Sequence, residues 1–417
     1  MDDTGLTDQA RRASFRPRSL DAVNFLLADV RGALGPYLNV FLITQQHWSQ
    51  TDVGWVTTLS GLLGIAAQMP AGAAIDATRR KREVVVAALL VLAIGALAIF
   101  IWPSFWPVMI ANTAIAIVGD VFGPAVAAVT LGLYARRHLA RRMGRNSAFD
   151  HAGNVAIAAA AGGIGYLFSQ RAVFLLVPVF AIVAALAMLS IPHDAIDQDR
   201  ARGLRDGDAH DEAGAPSGIT ALLRCRPLVV FAICAMLFHF ANAPLLPLVG
   251  QKLAQANPAW ATAMMSACII AAQLIMLPVA LIVGRTADRI GRKPILLIGF
   301  AILPIRAVLY TFSNHAAWLI GVQLLDGIGA GIFGAITPLV IADLMRGTGR
   351  YNLAQGAVAT VQGIGAATSG LAAGIIVDHF GYTPAFLGFG AASCVALLAL
   401  LFGMPETAST DAPAPAG

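Results

Sequence analysis

The chain has 417 residues, 58% of them apolar and only 12% charged, with a formal net charge of +5 and a mean hydropathy of +0.72. Soluble domains run about 45–50% apolar and about 25% charged, and a globule of this length has too little interior to hide the excess. A secreted enzyme, a disordered chain and a coiled coil are excluded; what remains is a bundle of membrane-crossing helices, each needing about 20 apolar residues.

The first 20 residues are polar and carry Arg11, Arg12, Arg16 and Arg18. A full-length apolar stretch follows with no small-residue cleavage site, so the segment reads as an uncleaved first helix behind a cytoplasmic tail. Hydropathy predicts twelve spans, near 21–44, 53–75, 83–102, 105–134, 146–169 and 173–191, then 226–250, 259–283, 294–312, 316–342, 353–377 and 384–404. They form two six-helix halves, 21–191 and 225–404, joined by the polar, Gly- and Ala-rich stretch 192–224, which reads as a flexible linker. The tail 405–417 is rich in Pro and Ala.

Loop charge sets the orientation. The N-terminal tail, TRRKRE at 78–83, ARRHLARRMGR at 135–145, the linker, GRTADRIGRK at 284–293 and MRGTGR at 345–350 alternate with loops whose only cations are Arg171 and Lys252. Both termini are therefore expected in the cytoplasm. The four cysteines, Cys225, Cys234, Cys268 and Cys394, have no metal-ligand or disulfide spacing, and no metal site is expected.

The chain repeats itself. GAAIDATRRKR after the second span corresponds to GRTADRIGRK after the eighth, with Gly and Asp offset by 212 residues. GRN before span five corresponds to GRYN before span eleven, so the two halves are parallel repeats.

Gly284 to Lys293 fits the loop signature GxxxDRxGRR/K at every position, and Gly72 to Lys81 keeps Gly72, Asp76, Arg80 and Lys81, with Ala77 and Arg79 in place of the usual Arg and Gly. On these motifs the chain resembles the major facilitator superfamily of twelve-helix transporters, closest to its proton-coupled drug and metabolite exporters. The resemblance covers about residues 20–404. It implies an all-α membrane protein in the cytoplasmic (inner) membrane. It also implies a cytoplasmic latch made by Gly72, Asp76, Arg80, Gly284, Asp288, Arg289, Gly291, Arg292 and Lys293, in which Gly allows close approach and Asp faces a helix N-terminus. The antiporter signature of span five is half present: Gly153, Gly162, Gly163 and Gly165 are there and its prolines are not. Small residues that let helices pack explain those glycines equally well.

Ionisable residues inside spans are few, and each costs about 2.5–3.5 kcal/mol on insertion scales. They are Asp29 and Arg31 in span one, Asp120 in span four, His239 in span seven, Arg306 in span nine and Asp326 in span ten. By the resemblance, spans one, four, seven and ten line the central cavity. Asp29, Asp120, Asp326 and His239 are the candidates for proton coupling. Arg31, two residues from Asp29 and so about 200° around the helix, is a candidate to bind an anionic group or to neutralise Asp120. Arg306 and Asp326 lie at similar distances on either side of a turn near His315, which places them at equal depth; a structural pair is expected, and it competes with a proton-carrying role for Asp326. Tyr37, Asn39, Phe122, Asn154, Phe240, Asn242, Gln273, Gln323 and Gln362 complete the candidate cavity wall, which would suit a moderately hydrophobic organic solute.

No nucleotide-binding loop, cofactor motif or cluster of catalytic groups occurs, so neither an enzyme, a cofactor nor a nucleic-acid partner is expected. The expected partners are a small-molecule substrate, protons and the lipid bilayer, and the expected state is a monomer. The reading is a secondary transporter working by alternating access, with proton-coupled export of a drug-like compound or metabolite. The alternatives are proton-coupled or passive uptake of a nutrient or siderophore, a non-transporting membrane sensor, and a membrane-embedded enzyme.

Overall fold

The structure, a computed structural model, describes residues 17–28, 35–78, 80–134, 136–197, 222–346, 348 and 350–408. Regular structure among them is entirely helical: α1 Pro17–Leu27, α2 Gly35–Thr44, α3 Gln50–Ala77, α4 Lys81–Ile101, α5 Phe105–Leu133, α6 Arg136–Leu167, α7 Leu176–Leu189, α8 Arg226–Asn242, α9 Leu245–Ala256, α10 Ala261–Ile290, α11 Arg292–Leu309, α12 Ala316–Leu344, α13 Tyr351–Phe380 and α14 Tyr382–Gly403. A 3₁₀ turn, Arg171–Leu175, runs directly into α7. Among the described residues eight stretches are long and apolar enough to cross a membrane, counting Arg171–Leu189 and the α8–α9 run Arg226–Ala256 as one each. Their surfaces are apolar as well: Phe402, Phe168, Leu167 and Trp106 are 70–82% exposed, which suits lipid and not water.

Helix boundaries depart from the hydropathy spans for definite reasons. Pro244 has no N–H to give and its ring opposes continuation, so the seventh predicted span is two helices, α8 and α9. Both loop signatures are largely helical: α3 runs through Ala77 and α10 through Ile290. Their polar residues lower hydropathy without breaking a helix. Gly291 ends α10 at φ +98°, a conformation that L side chains rarely adopt. The fifth span starts ten residues early, at Arg136, because arginines are good helix formers.

Contacts divide the chain into two units, Met1–Gln46 with Leu59–Glu212, and His47–Thr58 with Ala213–Gly417. In the first, α1 packs on α6 and α7, and α4 on α5 and α7. A Cβ on Gly153 of α6 would stand 2.1 Å from the carbonyl oxygen of Phe25 on α1. In the second, α10 packs on α12, α8 on α13 and α14, and α11 on α12 and α14. Gly365 and Gly327 play the same part there, with Cβ positions 2.2 Å from Met236 O and 2.3 Å from Ala272 O. Close backbone approach through small residues replaces the hydrophobic drive that lipid does not supply.

The first turns of α3 belong to this second unit through a cap. Asp378 on α13 accepts hydrogen bonds from Gln50 N at 3.1 Å and Thr51 N at 2.7 Å, and from the Thr51 hydroxyl at 2.6 Å. A carboxylate there satisfies otherwise orphaned donors at a positive helix end.

Gly153 and Gly163 separate packing from the half-present antiporter signature. Gly153→Ala forces α1 and α6 apart and should lower stability by about 1–3 kcal/mol. A Cβ on Gly163 meets nothing within 4 Å, so Gly163→Ala should leave the packing intact and raise stability by about 0.5–1 kcal/mol through helix propensity alone, as the thermal midpoint in detergent would show.

Candidate functional site

In the first unit, α1, α5 and α6 enclose a cavity of about 210 Å³ lined by Asn24, Phe122, Asn146, Ser147, Asp150 and His151, among others. One end is fastened by ions. Asp21 on α1 accepts from Arg145 Nε at 3.0 Å and Nη2 at 2.7 Å, and pairs with Arg142 Nη2 at 2.7 Å. Phe122, a candidate from the sequence, is in the cavity wall. Asn154 reaches it indirectly, its Nδ2 donating to Asp150 Oδ2 at 3.5 Å. Asn24, Asn146, Ser147, Asp150 and His151 were not among the sequence candidates. Asp150 and His151 fall in the polar run NSAFDHAGN at the start of the fifth predicted span, where a charge reads as a helix edge; the signal was their adjacency on a helix that extends well before them.

Asp120 on α5 is half-buried and has no hydrogen-bonding or ionic partner among the described residues. Tyr37 is buried, its hydroxyl donating to Ala158 O at 3.4 Å. Asn39 is buried with its side-chain oxygen unpartnered among the described residues. Asp29 and Arg31 lie outside the described residues, as do the side chains of Gly72 and Asp76.

The second unit holds a connected polar core. Arg306 on α11 is 2% exposed; its Nη1 donates to Asp326 Oδ1 on α12 and its Nη2 to Asn242 Oδ1 on α8 at 2.7 Å. Gln323 Nε2 donates to Asp326 Oδ2 at 3.1 Å, and the Tyr310 hydroxyl donates to Gln323 Oε1. Asp326 thus supplies the opposing charge, Asn242 accepts from the same guanidinium, and Gln323 and Tyr310 support the carboxylate behind them. His239 is not in this network. Its Nδ1 is 2.9 Å from Ala235 O of its own helix, and its ring lies edge-on to Phe333 at 4.8 Å. Phe240 packs on Phe389, ring centroids 5.6 Å apart. Gln273 and Gln362 are half-buried on α10 and α13, the latter with its amide nitrogen unpartnered among the described residues.

The loop signature of this unit is built differently from the sequence expectation. Asp288 faces solvent, with 84% of its side chain exposed, and pairs with Arg292 one turn on at 2.7 Å. Arg292 also reaches Asp343 on α12 at 3.1 Å. The carboxylate at the start of α11 is that of Glu406, after α14, which accepts from Arg292 N at 2.9 Å and Lys293 N at 3.1 Å. Gly284 approaches nothing within 4 Å, so close packing does not explain it, whereas Gly291 is required by its backbone. Arg80 and Arg289 are exposed. Burial pushes the Glu406 carboxyl up, but the N–H groups of Ala408, Arg292, Lys293 and Thr407 together hold it below its ordinary value of 4.5.

Two outcomes follow from these networks. Arg306→Met or Asp326→Leu alone leaves an uncompensated buried charge and should cost about 3–5 kcal/mol, while the double variant recovers most of it, as a double-mutant cycle of denaturation would measure. A carboxylate held low stabilises the fold above its unfolded pKa, and that stability is lost as pH falls through the folded value. Thermal midpoints should therefore drop on acidification below 4.5, and Glu406→Gln should show a smaller drop while being weaker at neutral pH.

The sequence profile of the Major Facilitator Superfamily matches residues 20–282 and 269–417. An uncharacterized MFS-type transporter of Mycobacterium tuberculosis is 47% identical over 396 residues, 94% of each chain. Among solved structures, a mutant of the nucleoside transporter NupG superposes with a TM-score of 0.75 at 14% identity, over 92% of this chain and 98% of that one. A D-xylose-proton symporter superposes at 0.72 and 13% identity, over 94% and 98%. Those two carry the fold; the profile and the mycobacterial relative carry the family. The chain belongs to the Major Facilitator Superfamily and is a multi-pass membrane transporter of small molecules.

Proposed function

We propose that this transporter exports a small organic compound, drug-like or a metabolite, across the cytoplasmic membrane in exchange for protons. It works by alternating access between two six-helix halves, 21–191 and 225–404, with twelve spans and both termini in the cytoplasm. The supporting observation is Asp120: a half-buried carboxylate in an apolar helix with no counter-ion among the described residues. Such a group is stable in lipid when protonated and is stabilised as an anion only when water or a cation reaches it. That makes it a proton carrier in the first unit, with Asp29 as its companion on span one. Asp326 is the weaker carrier, since its carboxylate is already paired with Arg306 and accepts from Gln323 Nε2. His239, against aromatic rings, is a relay candidate of lower rank.

Uptake is the second reading, favoured by the nucleoside transporter and the D-xylose-proton symporter that share the fold. Proteoliposomes with an imposed pH gradient distinguish the two. Solute moving against the proton flow supports export; solute moving with it supports uptake. Asp120→Asn should abolish gradient-driven flux, reducing it to that of empty liposomes, with an unchanged thermal midpoint. Normal gradient-driven flux in that variant removes Asp120 from the mechanism.

A further inference from the structure

We infer that the first turns of α3 are a releasable clasp on α13, and that Thr58 is the positioning residue that sets its grip. Positions 50, 54 and 58 form one ridge of α3, four residues apart, against positions 378, 374 and 370 of α13, spaced alike. At one end Asp378 caps Gln50 N and Thr51 N, and Gln50 Nε2 donates to the Tyr382 hydroxyl at 2.9 Å. In the middle the backbones meet: a Cβ on Gly54 would stand 2.7 Å from Gly370 O, and one on Gly374 2.3 Å from Gln50 O. At the other end Thr58, 7% exposed, enters the α13 ladder. Its hydroxyl donates to Ala367 O at 2.6 Å and accepts from Leu371 N at 2.9 Å. Ala367 O and Leu371 N are the two halves of one i, i+4 rung, so the hydroxyl bridges that rung.

This contact can open without orphaning a polar group. When Thr58 leaves, Leu371 N and Ala367 O have each other. The freed hydroxyl can turn to Gly54 O on its own helix, as Thr57 already does to Val53 O at 3.0 Å. Asp378 is exposed, and its carboxylate returns to water. Gly54, Gly370 and Gly374 have no side chains to interlock. In apolar surroundings an unpartnered backbone group is costly, so full partnering in both arrangements is what keeps them close in free energy. The next hydroxyl of α3 marks where the clasp ends. Ser60, 1% exposed, lies 3.0 Å from the Thr113 hydroxyl of α5, and contacts assign α3 to the second unit as far as Thr58 and to the first from Leu59 on. Alternating access asks α3 to stay with one unit and let go of the other, and residues 50–58 are the shorter, reversible part. The inference rests on that step of the reading above, and not on export or on protons.

Val53 lies between Gln50 and Thr57 on the docked face and is 4% exposed. Val53→Cys is the reporter, in purified full-length protein in detergent with Cys225 and Cys394 replaced by Ala; Cys234 and Cys268 are buried. A water-soluble sulfonated maleimide is the probe, and protein without the reporter sets the background. Thr58→Val keeps the shape, removes the hydroxyl and should speed labelling about two- to tenfold, the factor that one net hydrogen bond is worth. Asp378→Asn, an exposed change at the other end, should do the same. Thr58→Ser keeps the hydroxyl and should label at the parent rate. So should Ser60→Ala, which removes an equally buried hydroxyl outside the clasp. Thermal midpoints check that each variant is folded, and Asp378→Asn carries the test where Thr58→Val is not. Faster labelling in either variant, absent from the two controls, supports the clasp. Unchanged labelling in both, or equal acceleration by Thr58→Ser or Ser60→Ala, overturns it. No solute or gradient enters the measurement, so a clasp that passes stands even where flux runs with the protons, and one that fails leaves the export reading standing.

Discussion

A guanidinium in an apolar helix bundle has to be neutralised, and Arg306 is the group around which the second unit is organised. Leaving it unpaired would cost about 3–5 kcal/mol, a large part of the roughly 5–15 kcal/mol of net stability that domains have. The partners come from two other helices, Asp326 on α12 and Asn242 on α8, and Gln323 and Tyr310 hold the carboxylate in place behind them. None of these side chains can rotate away without exposing another. Three helices are thereby fixed in depth as well as in contact, a constraint that nonpolar packing against lipid-like neighbours does not impose.

The first unit solves the same problem at its end and leaves its middle open. Asp21 takes two arginines of α6, which clamps α1 to α6 beside the close approach at Gly153. Away from that clamp, Asp120, the Asn39 oxygen and the Asn146 oxygen have no donor among the described residues. Of these only Asp120 can take up a proton, which is what the proposed mechanism asks of it. On the reading proposed above, chemistry and rigidity are thus divided between the units, the acceptors in one and the locked charge in the other.

Much of this was legible in the sequence because hydropathy and loop charge are one-dimensional signals. The apolar runs marked the helices, and equal spacing about the turn near His315 put Arg306 and Asp326 at one depth. What could not be read were partnerships between residues remote along the chain. Glu406 reaches Arg292 N across 114 residues, and nothing in a short tail rich in Pro and Ala signals a helix cap. Hydropathy also mistook polarity for loop: the signature around Asp288 is helical up to Gly291, and its acid turns to solvent. Asp150 and Asn146 were overlooked for the opposite reason, since polar residues at a span edge look merely solvated until a cavity is seen beside them.

The internal repeat explains why the two units share a frame without sharing a mechanism. In each, the chain after the sixth helix of the half must be fastened to the helix that follows the loop signature. In the second unit Gly291 at φ +98° brings the N–H groups of α11 to face the Glu406 carboxylate. In the first, Arg79 stands where Gly291 does, and a side chain there disfavours that backbone. His193 follows Pro192 as Glu406 follows Pro405, so the acid is missing as well. The junction is closed with the polarity reversed: Arg82 of α4 donates through Nη1 to the Ile191 carbonyl at 2.5 Å. A cation on a carbonyl does not depend on a carboxylate remaining ionised, as the Glu406 cap does. Acid should therefore loosen the second junction before the first, an asymmetry that goes with Arg79, Arg82 and His193 standing where Gly291, Pro294 and Glu406 do in the second repeat.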